Sequence, residues 1–394
     1  MAKIDELLKE LCPDGVEYVT IGESCEILDS MRKPISKGKR KPGVFPYYGA
    51  NGIQDWVDDY IFDGDYILIG EDGSVINKDK TPVLNWASGK IWVNNHAHVL
   101  KEGSDQILLK YIYYVLKTVD VSGIVRGTPP KINQANLRGI TFPLPPLPIQ
   151  QHIVEVLDTF TDAISNLEEE LALREKQFEY YREQLLAFDD ESSLGGKLFS
   201  GKVEWKELQD VSSIVRGASP RPIKNFLSDK SEGIPWIKIG DADPNDKYIV
   251  STAEFINKQG ASKSRFLKKG SFILSNSMSF GRPYILAIDG CIHDGWIAIS
   301  DYERQINADY LYYVLKTANV KKYWSMSANN GAVSNLNADI VRGTIIPIPS
   351  LCAQQEIVEI LDTFEAMIAN IKEEIALRTK QYEYYREKLL SFGK

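Results

Sequence analysis

The chain has 394 residues, 43% hydrophobic content and a formal net charge of −8. That length suits two to three domains with ample core, and no apolar run approaches the roughly 20 residues of a membrane span. The four cysteines, Cys12, Cys25, Cys291 and Cys352, are scattered without a CxxC pair, and no signal peptide opens the chain, so a reducing cytoplasm is the expected setting.

In chain order, a first globular segment runs from about Val16 to Pro148. Its runs IFDGDYILIGEDGSV and GKIWVNNHAHVL alternate apolar residues with polar ones between turn residues, the pattern of short strands. It closes with a helical piece, YIYYVLKT at Tyr111 to Thr118, and then RGITFPLPPLPIQQ at Arg138 to Gln151. Proline cannot continue a strand ladder and biases its predecessor toward extended geometry, so this run predicts a stiff exit into a helix start. A long helix follows over 150–188, with a seam at Leu157, Phe160, Ile164, Leu167, Leu171, Phe178, Tyr181, Leu185 and Phe188, interrupted at Arg174. The second segment, about Val203 to Pro349, repeats the plan: strand-like IPWIKIGDAD and KKGSFILSNSMSFGRPYILAIDG, then YLYYVLKT at Tyr310 to Thr317, then RGTIIPIPSLCAQQ at Arg342 to Gln355. A second long helix carries the seam Leu361, Phe364, Ile368, Ile371, Ile375, Tyr382, Tyr385, Leu389 and Phe392, interrupted at Arg378.

The two long helices are copies. Residues 150–188 and 354–392 match at 26 of 39 positions without a gap, so the chain is a tandem duplication. An apolar stripe every 3.5 residues over about five heptads needs a partner helix. The other copy, related by a pseudo-two-fold axis, is the expected one, giving an antiparallel pair roughly 58 Å long. Arg174 and Arg378 would snorkel out of the seam or fix its register.

The edges of the two globular segments agree while their middles, Lys33 to Asn95 and Lys224 to Trp296, share little. One scaffold with two different faces suggests two related binding modules. The helix copies carry −6 and −3, which leaves the remainder at +1, and basic residues cluster within the modules. Arg32, Lys33, Lys37, Lys39, Arg40 and Lys41 form one group; Arg216, Arg221 and Lys224, then Lys258, Lys263, Arg265, Lys268 and Lys269, form others. Loop-borne Lys and Arg suit phosphate backbones, although any one cluster could be a solvated loop.

Catalytic motifs are missing. GKLFSGKV at Gly196 to Val203 lacks the Ser or Thr that a phosphate-binding loop places after its lysine, and TPPK at Thr128 to Lys131 is a turn rather than a methyltransferase NPPY-like motif. His96 and His98 are expected on one strand facing the same side, with no ligand partner at metal spacing, so packing is preferred and no metal site is expected.

The order of segment, PLPPLPIQQ, long helix, segment, PIPSLCAQQ, long helix, together with IPWIKIGDAD, ILIGEDGSV and WVNNHAHVL, closely resembles the specificity subunits of Type I restriction-modification enzymes over essentially the whole chain. The resemblance implies an α+β fold with two mixed α/β target recognition domains separated by two long helices in an antiparallel intramolecular coiled coil. The implied division is 1–149 for the N-terminal recognition domain, 150–188 for the central helix, 189–202 for a linker, 203–353 for the C-terminal recognition domain and 354–394 for the C-terminal helix. It further implies that each domain reads one half of a bipartite site in double-stranded DNA, and that the helices set the spacer and dock two methyltransferase subunits, with restriction subunits joining. S-adenosylmethionine, ATP and magnesium would be held by those partners, with no cofactor and no catalysis in this chain. Base and phosphate contacts are expected from Arg32, Lys37, Lys39, Arg40, Ser74 and Lys78 in the first module, and from Arg216, Ser219, Arg221, Lys263, Arg265, Asn276 and Arg282 in the second. A non-DNA adaptor carrying two protein-binding modules on a coiled-coil spacer is the alternative.

Overall fold

The computed structural model describes residues 2–189, 192–199, 201, 203–244, 246–276, 280–328 and 335–392. It divides into two compact units, unit 1 from residues 1–169 with 373–394 and unit 2 from residues 170–372. The division passes through both long helices, so each unit holds part of both. The expected linker 189–202 includes residues 190, 191, 200 and 202, which lie outside the described set.

Unit 1 opens with helix α1 (Ala2–Leu11), strand β1 (Tyr18–Thr20) and the short α2 (Ile21–Ser24). Thr20 starts α2 through a capping box: its hydroxyl accepts from the Glu23 amide while the Glu23 carboxylate accepts from the Thr20 amide. Strands β2 (Cys25–Ile27), β3 (Pro42–Gly49), β4 (Gly52–Val57), β5 (Phe62–Gly70), β6 (Leu84–Val93) and β7 (Ala97–Glu102) form one sheet in the order β2-β7-β5-β6-β3-β4. The tyrosine-rich α3 (Leu109–Leu116) follows, then α4 (Gln134–Arg138), which is N-capped by Asn133. Strand β8 (Thr141–Pro143) pairs antiparallel with β1, and α5 (Leu147–Leu185) begins the first long helix.

Unit 2 repeats this plan. After α6 (Leu194–Leu198) come β9 (Glu204–Glu207), β10 (Ser213–Arg216), β11 (Leu227–Ser228), β12 (Ile234–Ile237), β13 (Tyr248–Ile249), β14 (Glu254–Ile256), α7 (Lys258–Ser262), β15 (Arg265–Leu267), β16 (Phe272–Ser275), β17 (Pro283–Leu286), β18 (Gly290–Ile292) and β19 (Trp296–Ser300). Strands β10 to β19 make two five-stranded sheets, β10-β19-β16-β17-β13 and β11-β14-β12-β18-β15. Helices α8 (Ala308–Leu315), α9 (Ala318–Ala328) and α10 (Ala338–Arg342), strand β20 (Ile345–Ile348) and the long α11 (Leu351–Leu390) complete it. Strand β20 pairs with β9 as β8 does with β1, and Asn337 caps α10 as Asn133 caps α4.

The proline runs are partly strand, not only stiff exits. Pro143 lies opposite Tyr18 and Pro347 opposite Trp205, which two-stranded sheets tolerate because an edge residue needs no second ladder bond. The repeated tyrosines hold these runs and the helices beyond them. Tyr111 donates its hydroxyl to the Pro143 carbonyl at 2.7 Å and Tyr310 to that of Pro347 at 3.0 Å. One turn later Tyr114 donates to the Asp158 carboxylate and Tyr313 to that of Asp362. The first glutamine of each QQ pair is fully buried. Gln150 donates to the Gln106 and Pro145 carbonyls and accepts from the Leu108 amide; Gln354 does the same with Gln305, Pro349 and Asn307. Each amide thus ties the helix start to the loop entering α3 or α8.

The long helices meet antiparallel. Within unit 2, Tyr181 stacks on Phe364 with centroids 5.2 Å apart, while six residues earlier Glu175 pairs with Lys372 at 2.8 Å, eight residues later on the other helix. Leu361 and Phe178 are buried there beside half-buried Ile368. Within unit 1, Phe160 stacks on Tyr385, also at 5.2 Å, between buried Leu157, Tyr382 and Leu389. Leu167, Leu171, Ile371 and Ile375 are half-buried. Arg174 and Arg378 bond within their own helices, to Glu170 and Gln177 and to Glu374 and Gln381.

Candidate nucleic-acid interface

The strand registers identify equivalent positions in the two units. Ile27 lies opposite Leu100, which lies opposite Ile67; Ile214 lies opposite Ile299, which lies opposite Phe272. Counting outward from these pairs, Asp29 corresponds to Arg216, Arg32 to Ser219, Glu71 to Asn276 and His98 to Ile297. At this one sheet end each unit carries a polar cluster, and the two clusters differ.

In unit 1 the cluster is buried. The Arg32 guanidinium reaches Glu71 at 2.6 Å, the Ala97 carbonyl at 2.7 Å and Asp29 at 3.5 Å, with its side chain 11% exposed. His98 is 1% exposed, its Nδ1 2.6 Å from Asp29 and its Nε2 2.8 Å from the Ile132 carbonyl. Burial opposes the charge on Asp29, but the hydrogen bond from His98, the positive charges of His98 and Arg32 and the Val99 amide outweigh it, holding the carboxyl below its ordinary pKa. Asp29, Glu71 and His98 bring their ligand atoms within 4.8 Å of one another, a grouping able to hold a cation. This grouping is not legible in the sequence, because the three lie far apart along the chain. The guanidinium of Arg32 already contacts both carboxylates and supplies that charge.

Three expectations are corrected here. Arg32 is not a free loop cation: Nη1 donates to Glu71 and the Ala97 carbonyl, Nε to the Asp29 carbonyl, and Nη2 lies 3.5 Å from the Asp29 carboxylate. Arg40 is likewise held: it donates to the Ile35 carbonyl at 2.9 Å, pairs with Asp55 at 3.2 Å and lies over the Tyr47 ring at 4.1 Å. His96 and His98 do not share a strand face, because β7 starts at Ala97 and His96 instead meets Asp72 from the preceding turn. Lys37, Lys39, Ser74 and Lys78 are exposed, with Ser74 accepting from Asn51 at 2.9 Å.

In unit 2 the equivalent end is open and basic. Asp294 organises it, pairing with Arg221 at 2.9 Å and accepting from the Ser219 hydroxyl at 2.8 Å, while its carbonyl accepts from Arg216 Nε at 3.1 Å and from the Asn276 side chain at 3.5 Å. Burial works against the Asp294 charge; Ser219, His293 and Arg221 more than compensate and keep the carboxyl below its ordinary pKa. The turn into this cluster needs glycine, since a Cβ on Gly217 would meet the His293 carbonyl oxygen at 2.1 Å. The Arg221 side chain remains 80% exposed at the rim of a cavity of about 360 Å³ lined also by Trp236, Lys238, Glu254 and His293. The structure thus gathers Arg216, Ser219, Arg221 and Asn276. It places Lys263 elsewhere, over the Phe226 ring at 4.6 Å, Arg265 on β15, and half-buried Arg282 just ahead of β17. Asp294 and Gly217 were missed by sequence reasoning, which looked only for donors; an acid beside a basic loop is the signal that could have found the first.

The model of the Type I restriction modification DNA specificity domain matches the chain twice, over 13–174 and 201–377. A candidate type I restriction enzyme specificity subunit of Haemophilus influenzae is 34% identical over 393 residues, covering 96% of each chain. The EcoR124I/EcoR124II specificity subunit of Escherichia coli is 30% identical over 340 residues, 81% of this chain and 80% of that one. Among solved structures, the Type-I restriction-modification S subunit from M. genitalium superposes with a TM-score of 0.63 at 16% identity, covering 96% of this chain and 97% of the other. With the domain model matched in both halves and relatives of this extent, the chain belongs to the family of type I restriction enzyme specificity subunits.

Proposed function

We propose that this chain gives a type I restriction-modification complex its DNA sequence specificity, each unit reading one half of a bipartite site. The observation that carries this reading is one scaffold bearing two different polar clusters at the same sheet end: a closed acid-base cage at Asp29, Arg32 and Glu71, and an open basic one at Arg216, Arg221 and Asn276. A constant frame with a variable end suits two readers of different sequences.

In unit 2, Arg221 is held by Asp294 yet exposed, a geometry suited to bidentate contact with a guanine edge in the major groove. In unit 1, the exposed Lys37, Lys39 and Lys78 suit phosphates, and the Arg32 and Arg40 cages shape the loops that carry them. The long helices set the spacing between half-sites and dock two methyltransferase subunits, with restriction subunits joining. Methyl transfer from S-adenosylmethionine, and the ATP- and magnesium-dependent steps, belong to those partners, while this chain recognises and does not catalyse. The assembly works in the cytoplasm; among the described residues no helix is long and apolar enough to cross a membrane.

Mapping methylated bases in cells carrying this chain and its methyltransferase tests the reading: a bipartite motif with an unspecified centre is expected, and its absence refutes it. Arg221→Ala should relax one base pair of one half-site at a loss of about 1–3 kcal/mol. Lys37→Ala should instead weaken binding to every sequence alike and flatten the dependence on salt.

A further inference from the structure

In unit 1 the late part of α11 runs beside the end of α3 and leaves a cleft of about 500 Å³, lined by Asp79, Thr81, Lys117, Glu383, Arg386 and Glu387 among others. Two buried polar atoms there lack a hydrogen-bond partner, Arg386 Nε and the Tyr382 hydroxyl. Buried donors are ordinarily satisfied, so such atoms ask for an explanation. Arg386 and Glu387 have no ion pair within 4 Å among the described residues. Burial also lowers the pKa of the Lys117 amine, as expected of a lysine in a crevice rather than on an open surface.

Unit 2 holds the same position already filled. The duplication places Arg182 at the position of Arg386, Glu183 at that of Glu387 and Lys316 at that of Lys117. There the Glu183 carboxylate accepts from Arg182 Nη2 at 2.9 Å, and both of its oxygens accept from the amide of Ala318 at 3.2 Å. Ala318 is the first residue of α9, so Glu183 supplies the anion that a helix N-terminus requires. In unit 1 the chain turns away instead. The amide of Val119, the counterpart of Ala318, donates to the Leu116 carbonyl at 3.4 Å, and no helix follows until α4.

We propose that the unit 1 cleft receives the N-terminal turn of an α-helix from a partner protein. Glu387 takes the free amides of that turn and Arg386 swings onto Glu387, reproducing the arrangement of Glu183, Arg182 and α9. The two long-helix ends, alike in sequence, then present different surfaces: one closed by the chain's own helix, one open to a partner. Of two like partners, only one would gain this contact.

The proposal rests on the reading that methyltransferase subunits assemble on this chain, and its test uses the complex. A photoreactive benzophenone side chain would replace Ser391 at the cleft rim, and Glu387→Gln and Glu183→Gln would each be titrated with the methyltransferase subunit of the same system. The cross-link is expected within the first turn of a methyltransferase helix. Glu387→Gln should weaken one of two binding events by roughly 2- to 30-fold, the range of a lost cap. Glu183→Gln should leave both unchanged and lower only the melting temperature of the chain. Unaltered affinity in Glu387→Gln, or cross-links to mid-helix positions or to a second copy of this chain, would overturn the cleft's role while leaving the functional reading intact. An unaltered chain that bound no methyltransferase subunit would overturn both.

Discussion

Arg32 shows how far a side chain's role depends on partners that the local sequence does not display. From composition it belongs with Lys37 and Lys39; in the fold, Glu71, 39 positions on, and Asp29 claim its guanidinium. Removing it would leave two largely buried carboxylates facing each other, so Arg32→Ala should destabilise the chain by about 3 kcal/mol, seen as a lower denaturation midpoint. A simple phosphate contact would leave that midpoint in place. The depressed pKa of Asp29 adds a pH signature. A carboxylate held below its unfolded value of about 3.9 contributes stability that is fully present above that pH and lost as pH falls through the lower folded value. The melting temperature should therefore drop below about pH 4, and Asp29→Asn should flatten that part of the profile; a profile identical in both proteins would count against the cage. Gln150 and Gln354 make the same point in reverse. Glutamine is a mostly exposed residue type, yet each is buried because three backbone groups satisfy its amide.

The long helices were the most legible elements, because a 3.5-residue stripe repeated 204 positions later names both the helix and its partner. The second sheet of unit 2 was the least legible. Its strands are two to four residues long, and β12 pairs parallel with β18, more than fifty residues away, so neither alternation nor a tight turn announces the contact. In the helix pair, the stacked rings of Phe160 with Tyr385 and Tyr181 with Phe364 should couple in a double-mutant cycle by about 1 kcal/mol, beyond the cost of each single change to alanine. The exposed Glu175–Lys372 pair should contribute well under about 1 kcal/mol in the same denaturant measurement. Independent effects at the ring pairs would mean that the seam is not formed as described. Four residues inserted into each helix would lengthen it by about 6 Å and over-rotate it by about 40°. Such a variant should keep both half-sites and read a longer spacer when its methylated sites are mapped. An unchanged spacer would remove the measuring role from these helices.

The duplication makes a further separation testable, between a frame that must stay constant and faces that can change. What recurs is the set of joints: Tyr111 and Tyr310 on the proline runs, Tyr114 and Tyr313 on the helices, and Gln150 and Gln354 at the helix starts. None of these residues lies in the clusters at the sheet ends, so the polar face of one unit can be exchanged while the joints are kept, provided that an exchanged stretch spanning α8 retains Tyr310 and Tyr313. Replacing residues 216–330, of which 245, 277–279, 329 and 330 lie outside the described set, with the matching segment of another family member that keeps tyrosines at positions 310 and 313 should therefore give a folded protein. That chimera should methylate a hybrid site, with one half new and the other retained. Energetics support the same outcome, since readout by Arg221 and its neighbours acts at separate base pairs and contributions from separated positions add. If methylome mapping of the chimera found both halves altered, the units would be reading DNA jointly. If only the half assigned to unit 2 changes, the face carrying Asp294 is where that specificity is set.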